Sequence, residues 1–267
     1  MKTVDTLVKD IYTLMSTKKV PDGVDVDKAI DEFGENIKEL MKKEFVPTEK
    51  DFRTLRLSNI GRDDRYLWNV VNGTEQEEIK PHTYVKFMYG HVIEELLLCL
   101  TKLSGHTVTD EQKKCNVGGI RGHMDCKIDG VVTDVKSTST FGFKKFKDGT
   151  LAKDDPFGYI AQIKAYAHSE GETQYGWLAM DKQNAHLTYP KYDEKDTEHP
   201  MYDHINWSIE ERVEHLKKIV GLAEPEAFCA DPVPDGKSGN LKLSTTCSYC
   251  PYKEHCHPEL RTFLYSS

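Results

Sequence analysis

Two aspartates and a lysine stand close together in the segment GHMDCKIDGVVTDVK, which runs from Gly122 to Lys136 around an Asp129-Gly130 dipeptide. An Asp-Gly pair between two strand-like runs marks a two-residue hairpin turn. With those residues as the loop, Ile128 faces Val131 and Asp125 falls opposite Asp134, their β-carbons about 5 Å apart on one face. Like charges placed directly across a ladder destabilise it, so this pair calls for a proton or a cation between the two carboxylates. Mg²⁺ or Mn²⁺ suits such oxygen ligands. Lys136, two residues beyond Asp134, shares its face and could bring an ammonium to the same water or phosphate oxygen. A solvent-facing strand on which Asp and Lys merely alternate with valine is the bland reading. Against it, Val131, Val132 and Val135 place apolar side chains on both faces, as in a buried central strand, where uncompensated charge is costly.

A second set of candidates lies upstream and a third at the C-terminal end. Residues 84 to 103 read as a strongly apolar helix carrying Glu94 and Glu95 one turn after His91. Seven cysteines divide into Cys99, Cys115 and Cys126, which sit in apolar or strand-like contexts and read as core, and Cys229, Cys247, Cys250 and Cys256, which crowd one end. The first 15 residues lack the apolar run of a signal peptide, and no stretch approaches 18 apolar residues. A cytoplasmic protein with no membrane partner is expected, and in a reducing compartment clustered cysteines hold metal more often than disulfides. The chain of 267 residues, 38% hydrophobic and 30% charged, is long enough for a proper core. Its formal net charge of −8 repels a polyanion as a whole. A passive nucleic-acid coat is thereby excluded, and any DNA or RNA must be met by a local basic surface or through metal ions.

Around these residues the pattern predicts helices over 4 to 15 and 26 to 41, the 84 to 103 helix, the hairpin, a Lys- and Phe-rich loop, and a helix over 157 to 169. Two strands, YGWLAM and AHLTYP, follow, and Ser208 with Glu211 forms a capping box that opens a helix. A Gly- and Pro-rich connection, 225 to 240, leads to the cysteines. The order is that of an α/β protein with a central mixed β-sheet flanked by helices. Three regions are expected: a helical one over 1–55, a core over 56–224 and a Cys-rich metal-binding segment over 225–267.

With Asp125 closing GHMD and Asp134-Val135-Lys136 following, the chain resembles the PD-(D/E)XK nuclease superfamily, a restriction-endonuclease-like fold. Gln162-Ile-Lys-Ala-Tyr166 is similar to the Q-x-x-x-Y motif of its RecB-like branch, and Gly90-His-Val-Ile-Glu94 resembles the motif that supplies a Glu or a His to the metal. The spacing Cys247-x2-Cys250-x5-Cys256 is that of the iron–sulfur members, the CRISPR-associated exonucleases and AddB-type helicase-nucleases. The segment from Ser58 to Trp68 matches their upstream S-x-x-x-x-C-x-R-x-x-W but places Asp63 where the first cysteine ligand belongs. Cys229 is the expected substitute, with Asp63, His255 or His257 as other fourth ligands. Both a [4Fe–4S] cluster and a Zn²⁺ ion remain open. The ending, Gly236 to Asn240 followed by Leu260 to Tyr265, resembles bacteriophage-encoded exonucleases.

The resemblance implies a metal-dependent DNA exonuclease, single-strand preferring, in phage DNA processing in the host cytoplasm, with phage replication or recombination proteins as partners. An endonuclease of the same fold and a catalytically silent nucleic-acid-binding protein are the alternatives. Glu94 (or His91), Asp125, Asp134 and the carbonyl of Val135 would hold Mg²⁺ or Mn²⁺; Lys136 would orient a water, and Gln162 and Tyr166 would position substrate or water. Lys144, Lys145 and Lys147, interleaved with Phe141, Phe143 and Phe146, could carry a single strand by phosphate contacts and stacking. An ordinary solvated loop with its phenylalanines turned inward is the other reading. Arg62 and Arg65 belong to a second basic stretch.

Overall fold

The computed structural model describes residues 2–46 and 53–261. The part of the phage-like ending from Thr262 onward lies outside the described residues. Helices α1 (Leu7–Thr17), α2 (Val26–Phe45), α3 (Asp64–Asn72) and α4 (Pro81–Leu103) precede a β region of β1 (Val108–Thr109), β2 (Lys114–Val117), β3 (Ile120–His123), β4 (Cys126–Ile128) and β5 (Val131–Thr138). Then come α5 (Thr140–Lys147), α6 (Tyr159–Glu170), β6 (Gln174–Asp181), β7 (Leu187–Thr188), β8 (Lys191–Asp193), α7 (Tyr202–Ile205) and α8 (Ile209–Val220). The C-terminal part holds β9 (Val233–Pro234), β10 (Leu241–Lys242), α9 (Thr245–Ser248) and α10 (Lys253–Cys256). Among the described residues no helix is long and apolar enough to cross a membrane.

The main sheet runs β1-β4-β5-β6-β7, with β8 also paired to β6. It is mixed: β5 and β6 are parallel, from Val132↔Tyr175 to Thr138↔Asp181, and the other pairs are antiparallel. Strand β5 is central, as its valines foretell. Val132 joins Tyr166, Tyr175 and Trp177 in the larger core under α6, while Val135 joins Leu97, Leu178 and Val4, Leu7 and Ile11 of the N-terminal segment on the opposite face. Asp134 and Lys136, in phase with Val132, therefore point toward α6.

The β4–β5 hairpin has the expected register, Ile128↔Val131 to Cys126↔Thr133. Asp129 and Gly130 both have positive φ (48° and 87°), as a type I′ turn requires. The turn is held from behind. Asp129 Oδ1 accepts from Thr107 N (3.0 Å), and its Oδ2 lies 2.7 Å from Nδ1 of His106, whose ring is fully buried. The other ring nitrogen is 3.1 Å from Asp10 Oδ2 on α1, and Lys2 Nζ meets the same oxygen at 3.0 Å. His106 gives no signal in sequence, since its partners stand 96 and 23 positions away.

Two expectations need correction. The Lys- and Phe-rich stretch is helix α5, capped by Ser139 Oγ accepting from Gly142 N (3.3 Å), with Phe143 and Phe146 buried and Phe141 exposed. Inward packing of two phenylalanines against the sheet overrides a weak helix propensity. The run before the Asp-Gly turn is not one strand. Gly118-Gly119 folds it into the β2–β3 hairpin, and Met124-Asp125 separates β3 from β4. The ladder thus ends at Cys126↔Thr133, one step short of the expected Asp125–Asp134 pair.

Candidate active site

Asp125 nevertheless reaches Asp134 by leaving the ladder. Its Oδ2 accepts from Val135 N (2.8 Å), so the carboxylate folds over the strand end instead of standing across it. Asp134 is 1% exposed. Its Oδ1 accepts from Lys136 Nζ (2.9 Å) and Gln162 Nε2 (3.0 Å); its Oδ2, sealed from solvent, has the same ammonium 2.7 Å away but no hydrogen bond. Burial pushes Asp125 well above the usual carboxylate range, and the charges of Asp134 and Glu94 push it further. Asp134 is likewise raised by burial, against the opposing pull of Lys136. Burial works against charge on Lys136, but Asp134 and Asp125 outweigh it and hold the ammonium protonated.

Asp125, Asp134 and Glu94 are three carboxylates whose charges act on one another, and oxygen donors are the type that a hard divalent cation takes. Among the described residues no three His, Cys, Asp or Glu side chains are drawn together closely enough to hold a metal ion. Lys136, covering Asp134, supplies the positive charge there. Glu94 comes from α4 and accepts from Gln112 Nε2 (3.2 Å). His91, one turn earlier, is more exposed, lies 3.8 Å from Glu94 and has its pKa raised by that neighbour first. Glu94 acts on both aspartates, whereas His91 acts through Glu94.

Gln162 and Tyr166 share the α6 face turned to β5. Tyr166 is 1% exposed and hydrogen-bonds Gln162, and a Cβ at Gly122 would meet its ring at 3.0 Å. It is buried beside Gln162, where its hydroxyl can orient that amide. On the other side, Asp125 and Glu94 open onto a cleft of about 610 Å³ whose walls carry Glu32, Glu39 and Glu44 of α2 and Glu95 and Lys102 of α4.

The basic candidates part company. Lys144 and Lys147 of α5 are exposed, while Lys145 pairs with Asp154 (2.5 Å). Arg65 is braced against Glu224 and the carbonyl of Pro225 (2.5 Å). Arg62 lies 4.1 Å over the Tyr66 ring. The sequence reading missed Tyr159, whose ring lies 5.1 Å from Lys136 Nζ, and Asp155, which accepts from Ile160 N (2.8 Å) at the start of α6.

Cys99, Cys115 and Cys126 are buried core residues, as expected. The charges of the four C-terminal cysteines act on one another, but among the described residues no three of them form a group that could hold a metal ion, and the expected metal knuckle is not formed. Burial, then Asp63, Cys250 and Cys247, pushes Cys229 up to about 12; burial, with Cys256 and Cys247 adding, pushes Cys250 up to about 11. Asp63, standing where a cysteine ligand was expected, is thus a neighbour of Cys229. The segment docks on α3 and the chain after it: Tyr252 packs edge-on to Tyr66 (5.6 Å) and accepts from Gln76 Nε2 (2.7 Å).

No protein-family model and no curated protein matches the chain. Among solved structures, the alkaline exonuclease LHK-Exo of Laribacter hongkongensis in complex with dAMP is 14% identical, covering 69% of this chain and 94% of its own at a TM-score of 0.42. A phage-related exonuclease from Haemophilus somnus 129PT is 15% identical over 67% of this chain and 96% of its own, TM-score 0.41. SSO0001 is 14% identical over 86% of this chain and 98% of its own, TM-score 0.44.

Proposed function

We propose that this protein is a metal-dependent deoxyribonuclease that degrades DNA from its ends. The observation that carries the reading is the buried Asp134–Lys136 pair on a central strand, with Gln162 donating to Asp134 and Asp125 beside it. Isolated stability would not place three charges there, because each buried charge must be compensated. Glu94, Asp125, Asp134 and the carbonyl of Val135 would hold Mg²⁺ or Mn²⁺. When bound there, the cation lowers the pKa of a water and offsets charge on the phosphate.

The chain's own groups do the rest. Lys136, held protonated, donates to the attacking water or to a non-bridging phosphate oxygen and keeps positive charge beside the scissile bond. Gln162 fixes Asp134 Oδ1, and Tyr166 fixes Gln162, so the carboxylate presents one orientation. Linear end-labelled DNA should be degraded with Mg²⁺ or Mn²⁺ and left intact in EDTA, while a single-stranded circle survives. Cutting of the circle would make the protein an endonuclease, and an intact linear strand with every divalent metal would end the nuclease reading.

The four C-terminal cysteines are read in the same way as ligands of a structural metal, a [4Fe–4S] cluster or Zn²⁺. Their spacing in the sequence supports this, and a bound metal would take these residues as thiolates, drawing off protons that burial otherwise holds on. Anaerobically purified protein should carry iron, with absorbance near about 400 nm, or about one Zn²⁺. Protein free of both metals, with four titratable thiols, would remove the metal from the account.

A further inference from the structure

The C-terminal cysteine segment contributes a surface that the catalytic centre alone does not explain. Tyr249, between Cys247 and Cys250, is 53% exposed despite its size. Its ring meets Phe157 edge-on at 5.9 Å. Phe157 stacks on Tyr159 at 5.6 Å and 28°, and Tyr159 lies 5.1 Å from the ammonium of Lys136. Three aromatic rings therefore form an unbroken path from the cysteine segment to the catalytic lysine. Arg62 borders this path, 5.7 Å from the Phe157 ring.

The path is rigidly built. Gly61 and Gly158 cross so closely that a Cβ on either would meet the other's backbone at 2.4 Å, and Gly158 has φ of 75°. This crossing sets Arg62 and the Phe157–Tyr159 pair side by side, although they are about a hundred positions apart in sequence. Any second residue type at either glycine would separate them. Asp155, whose Oδ2 accepts from Ile160 N, closes the loop that carries Phe157.

Charge decides what fits the path. The acidic cleft beside Glu94 and Asp125 takes none of its lining from Phe157, Tyr159 or Tyr249, and its α2 carboxylates oppose a phosphate chain. The aromatic path instead has Lys136 at one end and Arg62 along it. The exposed ring of Tyr249, backed by the half-buried rings of Phe157 and Tyr159 and flanked by guanidinium and ammonium groups, suits unpaired bases joined by phosphates. A base pair inside a duplex offers no free face to stack on, and only the last pair at each end presents one.

We propose that Tyr249, Phe157 and Tyr159 form a stacking track that leads the unpaired end of a DNA strand to Lys136, and that the cysteine segment is thereby a substrate-binding element. This deepens the nuclease reading, on which the choice of DNA as occupant rests. Tyr249 is the residue to test, because its exposure leaves the core intact when it is replaced. Binding of a fluorescein-labelled 12-nucleotide oligothymidylate is measured by anisotropy without added divalent metal, alongside a duplex of equal length.

Tyr249→Ala should weaken single-strand binding on the order of ten-fold, Tyr249→Trp should restore it, and duplex binding should change less than about two-fold. Phe157→Leu should act like Tyr249→Ala. Wild-type affinity in Tyr249→Ala, failure of tryptophan to restore, or an equal loss for the duplex would each overturn the track. The readout needs no cleavage. A protein that cuts no DNA yet loses the single strand on Tyr249→Ala keeps the track and ends the nuclease reading; one that degrades DNA while Tyr249→Ala binds normally does the reverse.

Discussion

Asp134→Ala is expected to lower metal-dependent DNA degradation on the order of 10³-fold or more, the scale on which an electrostatic group at the reacting centre acts. The same replacement leaves the Lys136 ammonium buried without its counter-charge, a change that can cost several kcal/mol of stability. Asp134→Asn removes the same counter-charge but leaves Asp125 acting on the ammonium and opens no cavity, so the stability loss is smaller. Asparagine keeps the volume and an oxygen for Lys136 and Gln162, so the fold should persist while activity is still lost. Lys136→Ala should also fall about 10²-fold or more, and Lys136→Arg should not rescue it, because a planar fork cannot reproduce the point charge packed beside Tyr159. Gln162→Ala should cost less, roughly 10- to 100-fold, since it orients Asp134 and does not meet the phosphate. Single-turnover rates on end-labelled DNA compare all five variants, and undiminished turnover in Asp134→Asn would remove this centre from the chemistry.

Asp125→Asn is expected to raise the melting temperature of the metal-free protein at neutral pH while abolishing activity. Burial and the charges of Asp134 and Glu94 raise the folded-state pKa of Asp125 above its unfolded value. Between those two values the folded chain holds a proton that the unfolded chain has released, so stability falls as pH rises through the window. Above the folded-state pKa the repulsion is present in full. Asparagine retains an oxygen for Val135 N and carries no charge, which should add about 1–2 kcal/mol, or roughly 2–6 °C for a chain of this size. Mg²⁺ should stabilise the wild type more than the variant, because a ligand that binds only the folded state adds its binding energy to folding. Thermal melts with and without Mg²⁺, from about pH 4.5 to pH 7.5, test this. A lower metal-free melting temperature in Asp125→Asn would mean that the carboxylate is structural.

Much of this centre was legible because its residues lie within one hairpin. Asp129-Gly130 fixed the register of β4 and β5, and valines on both faces marked β5 as central. The one-step shortfall at Asp125 was not legible, because it depends on the break at Met124-Asp125. The Gly118-Gly119 pair that folds β2 on β3 was itself a readable hairpin signal that the longer run obscured. Helix α5 was hidden for a different reason: Phe143 and Phe146 become inward anchors only when Trp177 and Tyr159 are in place, Phe146 lying 5.9 Å and 6.1 Å from those rings. Tyr159, Phe157 and Tyr249 could not be grouped from sequence, since only the crossing of Gly61 and Gly158 and the docking of Tyr252 on Tyr66 bring their segments together.

The clasp of His106 between Asp10 and Asp129 makes the start of the chain a custodian of spacing at the active centre. Asp129 is the turn residue from which every pairing in the β4–β5 hairpin is counted, and a slip of one residue would turn Asp134 and Lys136 to the opposite face. During synthesis α1 emerges more than a hundred residues before that turn, so it must wait for the hairpin and then lock it. Shortening the protein from its N-terminus is therefore not the removal of an appendage; it unfastens the ruler by which Asp134 and Lys136 are placed.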